Sequence, residues 1–595
     1  MTRPPADSPL DWTEDGQPRS RLFGDVYFSA EDGLAESRAV FLAGCGLPDA
    51  WVGRRRFVVA ELGFGTGLNI AALLDLWRRT RSPGARLHVF SVEGFPITAA
   101  EAARALGRWP ELAEVVTTLT ARWPGRARGR HRVELPAFAA TLDLAVGEAA
   151  EALAGWSGQA DAWFLDGFSP ALTPQMWSEE LMALVAARSA PGARAATFTV
   201  AGSVRRGLAA AGFAVEKRPG HGRKRERLEA RLPGEAVDPA VRRVAIVGGG
   251  VAGASAAHAV SALGGEPLLF EAVRPGAGAS GNPAALVTPR LDAGLGEAAR
   301  LFAQAFGRAV DLYEAIPDAV IARGVLQLAL EVRDRDRFAK IAASDVFEPG
   351  ALALLDAAEA ATRLGEPAPP ALDQCDALVV DPAEILAAWT PEARMATVEA
   401  LEGCEGSWRL LDAAGTALGE ADAVIVAAGM GAARLLPGLA LQAVRGQASW
   451  AAGVAPPVAA AWGGYVLPTR DGVLFGATHD RGDDASDLRP GDHARNLATL
   501  AQALPSLAAR LVTVPLEGRA SVRAVTPDRL PVAGPVGAAG LHALTGFGSR
   551  GFSLAPLLAE HVAALAVGAP SPLTREAAEL VSPARFARRA ARRIL

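Results

Sequence analysis

Glu61-Leu62-Gly63-Phe64-Gly65-Thr66-Gly67 follows the apolar run Phe57-Val58-Val59-Ala60 and opens a helix-like stretch over residues 68–79. Val244-Ala245-Ile246-Val247-Gly248-Gly249-Gly250-Val251-Ala252-Gly253 repeats that order of strand, turn and helix further along. In this arrangement the backbone can approach a nucleotide closely and a helix N-terminus can face its charge. The two loops differ in spacing and surroundings, so the chain reads as two cofactor sites serving two reactions. The expected fold class is an α/β two-domain fusion. Its boundary falls in the Pro/Gly-bearing stretch Arg231-Leu-Pro-Gly-Glu-Ala-Val-Asp-Pro-Ala240, giving domains 1–235 and 242–595.

Composition agrees with two packed enzymes. A chain of 595 residues exceeds what one core organises, and half of it is hydrophobic against 21% charged. Cys45, Cys375 and Cys404 form no CxxC pair, which predicts a reducing cytoplasm and no metal site. The start of the chain has no apolar signal core, and no stretch is uniform enough to span a membrane. The net charge of −5 is unevenly spread: residues 1–235 carry +2 and the remainder −7. A polyanion surface is therefore expected mainly on the first domain. Two basic clusters suit it: Arg122 to Arg132, and Gly222-Arg223-Lys224-Arg225-Glu226-Arg227. Read by composition alone, both are ordinary solvated faces.

In the first domain, strand-like runs at 57–61, 87–92, 161–165 and 195–200 alternate with helix-like ones, predicting a parallel, doubly wound sheet. The Glu-x-Gly-x-Gly-x-Gly loop, with an acid at the strand tip, resembles the S-adenosylmethionine loop of class I (Rossmann-like) methyltransferases. Gly63, Gly65 and Gly67 would admit the cofactor, and Glu93, at the next strand tip, could hold both ribose hydroxyls. Asp166, in Asp166-Gly167-Phe168-Ser169-Pro170, ends a later strand where an open α/β sheet binds its ligands. A carboxylate there could hold an ammonium and relay its proton before methylation, since a lysine-like amine titrates near ~10.4. An Asp-Gly turn that merely caps a helix would look the same. Phe168 could shape the pocket or stack on a base.

In the second domain, Gly248-x-Gly250-x-x-Gly253 has Glu271 placed as a ribose-binding acid, an arrangement common to NAD and FAD sites. Ser280 and Gly281, in Gly278-Ala-Ser-Gly-Asn282, form a small-residue turn suited to a phosphate or a flavin ring. The stretch 421–429, the run Gly518 to Pro531 and the turn Gly546-Phe-Gly548-Ser549-Arg550-Gly551 resemble Rossmann-type FAD-binding oxidoreductases of the glycine-oxidase/D-amino-acid-oxidase type. That resemblance implies that Arg523 holds a substrate carboxylate and that the turn at Gly548 and Gly551 brings N–H groups to the flavin. His479 is expected to be structural.

Nearly end to end, the chain resembles the family of bifunctional tRNA 5-methylaminomethyl-2-thiouridine biosynthesis proteins. The matching stretches are 23–38, Glu61 to Asn69, Asp166 to Pro170, Gly222 to Glu226, Gly278 to Asn282, Val444-Arg-Gly-Gln447 and Gly548 to Gly551. The resemblance implies FAD and S-adenosylmethionine as cofactors and the wobble uridine of tRNA as substrate. The flavin domain would remove a carboxymethyl group from 5-carboxymethylaminomethyluridine, and the methyltransferase domain would methylate the amine exposed. Asp166 and Arg523 become the catalytic candidates, while Phe168, Arg223, Lys224, Arg225 and Arg550 become candidates for substrate or RNA contact. A small-molecule amine oxidase fused to a small-molecule methyltransferase would carry the same loops, and turnover of free sarcosine or glycine would mark it.

Overall fold

The computed structural model describes residues 8–592 except 30, 31, 223, 224, 239, 241, 391 and 456. Two compact units divide the chain: Met1–Ala240 with Pro570–Arg575, and Val241–Ala569 with Glu576–Leu595.

The first unit is built on an eight-stranded sheet in the order Gly129–Leu135, Ala140–Val146, Arg86–Glu93, Arg56–Leu62, Ala160–Leu165, Ser189–Thr197, Glu226–Arg231, Ala214–Pro219. The central five strands are parallel, and an antiparallel pairing closes each side. Arg56–Leu62 lies in the middle and is apolar on both faces: Phe57 and Val59 enter one core, Val58, Ala60 and Leu62 the other. That is the pattern of a strand covered by helices on both sides. The helix Leu68–Thr80 starts at Gly67, and Ala99–Leu106 is fixed by a Thr98–Glu101 capping box.

The hairpin Gly129–Leu135/Ala140–Val146 corrects the reading of the Arg122–Arg132 cluster as one charged face. Arg130 and Arg132 point inward and are buried. Arg132 sits directly opposite Asp143 in the ladder and grips it with two 2.7 Å hydrogen bonds. Arg132 also donates to the Pro570 carbonyl at 3.1 Å and Arg130 to that of Leu573 at 3.0 Å. These arginines hold the unit together and are not available to RNA. Burial pushes the Asp143 carboxyl up, but Arg132 and then His88 more than reverse this, holding it well below the usual carboxylate range.

The second unit holds a six-stranded sheet in the order Arg394–Met395, Glu266–Glu271, Arg243–Val247, Ala423–Val426, Leu541–Thr545, Val532–Pro535, parallel except for its last pair. Helices Val251–Ala262 and Gly551–Val567 are buried along almost their whole lengths. A ten-stranded, mostly antiparallel sheet includes Gln442–Ala452 paired with Glu517–Val525, and a three-stranded sheet runs from Ala400 to Ala421. Among the described residues no helix is long and apolar enough to cross a membrane.

Asp143→Asn should leave Arg132 buried beside a neutral partner and cost the first unit about 3–5 kcal/mol. Calorimetry of the full chain should show one transition lowered and the other unmoved. Because the folded pKa of Asp143 is depressed, the pair's contribution is present above the ordinary aspartate pKa of ~3.9 and lost as pH falls below it.

Two candidate active sites

In the first unit the glycine loop leaves the end of the central strand and turns into the helix Leu68–Thr80. Gly67 takes φ 77°, and a Cβ there would stand 2.9 Å from Trp123 Cη2, so only glycine fits. Gly63 and Gly65 complete the turn, packed against the backbone of Gly167 and the ring of Tyr27. Glu93 ends the adjacent strand. Its carboxylate accepts the Gly65 N–H at 2.8 Å and the Phe95 N–H at 2.8 Å. Burial pushes this carboxyl up, and those backbone donors pull it back.

Glu61 is completely buried at the strand end. The Asn69 amide joins it to Asp166, donating to Glu61 Oε1 at 3.2 Å and to Asp166 Oδ2 at 2.8 Å. The Ser37 hydroxyl lies 2.7 Å from Asn69 Oδ1, which sets the amide so that its NH2 faces the two carboxyls. Ser91 donates to Glu61 Oε2 at 2.6 Å. Burial raises the Glu61 carboxyl well above its ordinary range, the nearby Asp166 and Glu93 charges add to this, and the Ser91 and Asn69 bonds oppose it. Ser37, Asn69 and Ser91 went unassigned in the sequence because nothing local joins them. The residue types alone offered only Asn69, two places after the loop.

Asp166 Oδ1 accepts the Gly167 N–H at 2.8 Å, fixing the turn that carries Phe168. Phe168 meets Phe23 at 4.9 Å and Tyr27 at 5.3 Å between ring centroids, and Phe23 in turn meets the exposed Phe95 at 5.7 Å. The Phe168 carbonyl is held by Trp177 Nε1 at 3.0 Å. Phe23 and Tyr27 thus join the site from a stretch that carried no assigned role. Arg225 is exposed between Ala214–Pro219 and Glu226–Arg231, while Arg223 and Lys224 lie outside the described residues. Much of the charge around them is internally paired: Lys217 with Glu226, Arg218 with Glu216, and Arg227 with Glu229.

The second unit repeats the strand-end device. Glu271 Oε2 accepts the Gly249 N–H at 2.6 Å and Oε1 the Val273 N–H at 2.9 Å. Gly248 follows the strand, Gly250 caps the helix Val251–Ala262, and Ser280 Oγ accepts the Val251 N–H at 3.0 Å. A Cβ on Gly253 would fall 1.8 Å from the Gly248 carbonyl oxygen, so the helix can pack this close only with glycine there. Arg519 fastens the turn that carries Gly281, donating to the carbonyls of Ala277 and Gly278 at 2.6 Å each. It too went unassigned.

Arg523 lies in Glu517–Val525, over a gap left by Gly446, where a Cβ would meet its Nη2 at 2.0 Å. It donates to Ser549 Oγ at 2.8 Å and to the Thr478 carbonyl at 2.7 Å. Its pKa is lowered by burial and supported by Tyr465 and Asp480, so the cation is only partly compensated. The turn at Gly548 differs from its expected role as an N–H donor: the Gly548 N–H is spent on the Ala524 carbonyl at 2.9 Å. The helix that begins at Gly551 adds the N–H groups of its first turn here. Arg550 is half-buried, donates to the Pro289 carbonyl at 3.2 Å, and has its pKa pushed down to about 10 by desolvation and then by Arg290. His479, expected to be structural, is exposed; its pKa is lowered by the desolvation it does undergo and by Arg523, Arg481 and Arg529.

Residues 110–233 match the family described as S-adenosyl-L-methionine-dependent methyltransferase, and residues 243–565 the one described as FAD dependent oxidoreductase. The polypeptide is thus a methyltransferase followed by a flavin oxidoreductase, with S-adenosylmethionine and FAD as cofactors. Over 99% of both chains it is 60% identical to the tRNA 5-methylaminomethyl-2-thiouridine biosynthesis bifunctional protein MnmC of Caulobacter sp. (strain K31). It is 59% identical to the protein of the same name from Caulobacter vibrioides, over 98% of each. It belongs to this family of bifunctional tRNA 5-methylaminomethyl-2-thiouridine biosynthesis proteins. Among solved structures, glycine oxidase from Geobacillus kaustophilus is similar over 57% of this chain and 99% of its own, at 23% identity and a TM-score of 0.49.

Asn69→Ala should strand two carboxyls, cost about 1–3 kcal/mol of stability and slow methyl transfer about 10²-fold through misplacement of Asp166. Circular dichroism and a methylation assay with aminomethyl-bearing tRNA read the two effects. Gly253→Ala should give protein without flavin absorbance near 450 nm that still methylates such a tRNA.

Proposed function

We propose that this chain carries out two consecutive steps on the wobble uridine of tRNA. The second unit removes the carboxymethyl group of 5-carboxymethylaminomethyl-(2-thio)uridine, and the first methylates the amine that remains. The observation that carries this reading is Arg523, a poorly compensated guanidinium in a flavin oxidoreductase fold, on the same chain as a methyltransferase whose strand-end Asp166 is held by Asn69. A carboxymethylamine is the substrate that needs both: a carboxylate for the arginine first, then an amine for the aspartate.

The residues present fit both cofactors. Side chains at Gly67 and Gly250 would run into Trp123 and Ser280, so glycine is what lets each loop turn this tightly, and Glu93 and Glu271 stand at the strand ends where ribose hydroxyls are read. When bound, FAD accepts the hydride from the carbon beside the amine, and S-adenosylmethionine supplies the methyl group. Arg523 holds the carboxylate of the two-carbon arm with a charge-assisted fork, orienting that carbon. Ser549 and the Thr478 carbonyl keep the guanidinium in place. The oxidised carbon–nitrogen bond takes up one water and breaks, releasing the arm as glyoxylate and leaving a primary amine.

That amine arrives protonated at neutral pH and must lose its proton before it attacks. Asp166 Oδ2 holds the ammonium and relays the proton outward, while Asn69 fixes the carboxylate and burial, raising the Glu61 carboxyl, disfavours a competing charge there. Phe23, Tyr27 and Phe168 give the base an aromatic wall. Arg225, with Arg223 and Lys224, remains a candidate for backbone contact, and Arg550 supports the oxidase pocket through the Pro289 carbonyl.

Incubating tRNA that bears 5-carboxymethylaminomethyluridine with the protein should yield the aminomethyl nucleoside without S-adenosylmethionine and the methylaminomethyl nucleoside with it, read by nucleoside mass spectrometry. An unchanged nucleoside in flavin-loaded protein, with turnover of free sarcosine or glycine, overturns the tRNA reading. Asp166→Ala should stop the sequence at the aminomethyl form while binding S-adenosylmethionine normally. Arg523→Leu should lower kcat/KM of the oxidase step by about 10²-fold or more.

A further inference from the structure

We propose that Arg481 and Arg529 form a phosphate-reading rim at the mouth of the Arg523 site, which takes the sugar-phosphate backbone beside the nucleoside being oxidised. The inference rests on the tRNA reading above and deepens it by assigning an RNA contact to the oxidase unit, whose composition argues against one.

Register places the rim. Val444 has Arg523 as its ladder partner on one side and Arg481 on the other, so both arginines project from the same face of the sheet. Arg523 is drawn down over Gly446 towards Thr478 and Ser549, whereas Arg481 is exposed. Arg529 stands in the turn that follows Arg523's strand, and Arg290, beside the Pro289 that takes Arg550, ties that turn to the segment whose Ser549 holds Arg523. Arg529 is exposed and has φ 58°, a backbone conformation unusual for a side-chain-bearing residue, and its carbonyl accepts Arg290 Nη1 at 3.3 Å. Arg523, Arg481 and Arg529 all lower the pKa of His479, after the effect of its own desolvation.

The acids next to these arginines are engaged elsewhere. Asp480 is bound by Arg495 at 2.7 and 2.9 Å. Asp528 is bound by Arg585 at 2.9 and 3.1 Å, and also by Arg589. Neither Arg481 nor Arg529 has a carboxylate partner among the described residues, although acids stand beside both in sequence. Residues 236–595 carry a net −7, so an uncompensated cationic rim around one pocket mouth is a local arrangement and not a consequence of composition. Two exposed guanidinium cations with no carboxylate partner, beside a pocket proposed to take a carboxylate, suit a polyanion that brings the carboxylate in.

The test compares full-length, FAD-loaded protein with Arg481→Gln/Arg529→Gln and with Arg481→Lys/Arg529→Lys, using tRNA bearing 5-carboxymethylaminomethyluridine. The Gln pair should raise the oxidase KM about tenfold and flatten its dependence on log salt by about 1–2, one phosphate contact per arginine. The Lys pair should keep most of the wild-type salt slope. Flavin absorbance and melting temperature, read on every variant, separate a lost contact from a damaged fold. Unchanged KM and salt slope in the Gln pair, with wild-type protein active on tRNA, overturn the rim alone. Wild-type protein inactive on tRNA overturns both the rim and the tRNA reading.

Discussion

One hydrogen-bond arrangement recurs in both units and sets where each cofactor can lie. A glutamate ending one parallel strand accepts an N–H from the glycine loop ending the next, and its second oxygen accepts the N–H two residues further along its own chain. Glu93 does this with Gly65 and Phe95, and Glu271 with Gly249 and Val273. The arrangement pins each loop against its neighbouring strand, so the glycine backbone, the helix that follows and the acid form one rigid cradle. A half-buried carboxylate satisfied by backbone donors tolerates this position, where an unpaired one would be disfavoured.

Beyond the cradles the units solve different problems. In the proposed reaction the methyltransferase holds a carboxylate facing an ammonium without gathering excess negative charge. It does so by sharing one amide between Asp166 and Glu61, with burial keeping the Glu61 carboxyl raised and Ser37 fixing which end of the amide points inward. In the same proposal the oxidase keeps a guanidinium for a carboxylate: Arg523 is partly buried, with neutral oxygens as its main partners. In one unit burial disfavours a second negative charge; in the other a partly buried cation rests on neutral oxygens.

The cradles were legible in the sequence because a loop that only glycine can form leaves residue-type signatures at fixed spacing, as at Gly67 and Gly253. The acids follow from the same spacing, being one strand further on. The polar partners were not legible: Ser37, Asn69 and Ser91 meet Glu61 and Asp166 only through the tertiary fold, and Arg519 reaches its turn from more than two hundred residues away. The hairpin at 129–146 was hidden for a different reason. Its inward positions include Arg132 and Asp143, which cancel each other in the core but make the strand look like a charged surface. A pairing that is local in the ladder and distant in sequence defeats any reading by alternation. Arg523 stood out only through family resemblance, since a lone arginine on a strand has no signature of its own.

The most direct test of two sites acting in sequence is a single-turnover time course with both cofactors present, following the wobble nucleoside of 5-carboxymethylaminomethyl-tRNA by mass spectrometry. The account predicts that the aminomethyl nucleoside rises and then falls as the methylaminomethyl nucleoside appears. A nucleoside methylated while still carrying its carboxymethyl group, or methylaminomethyl product formed by flavin-free protein, would contradict it.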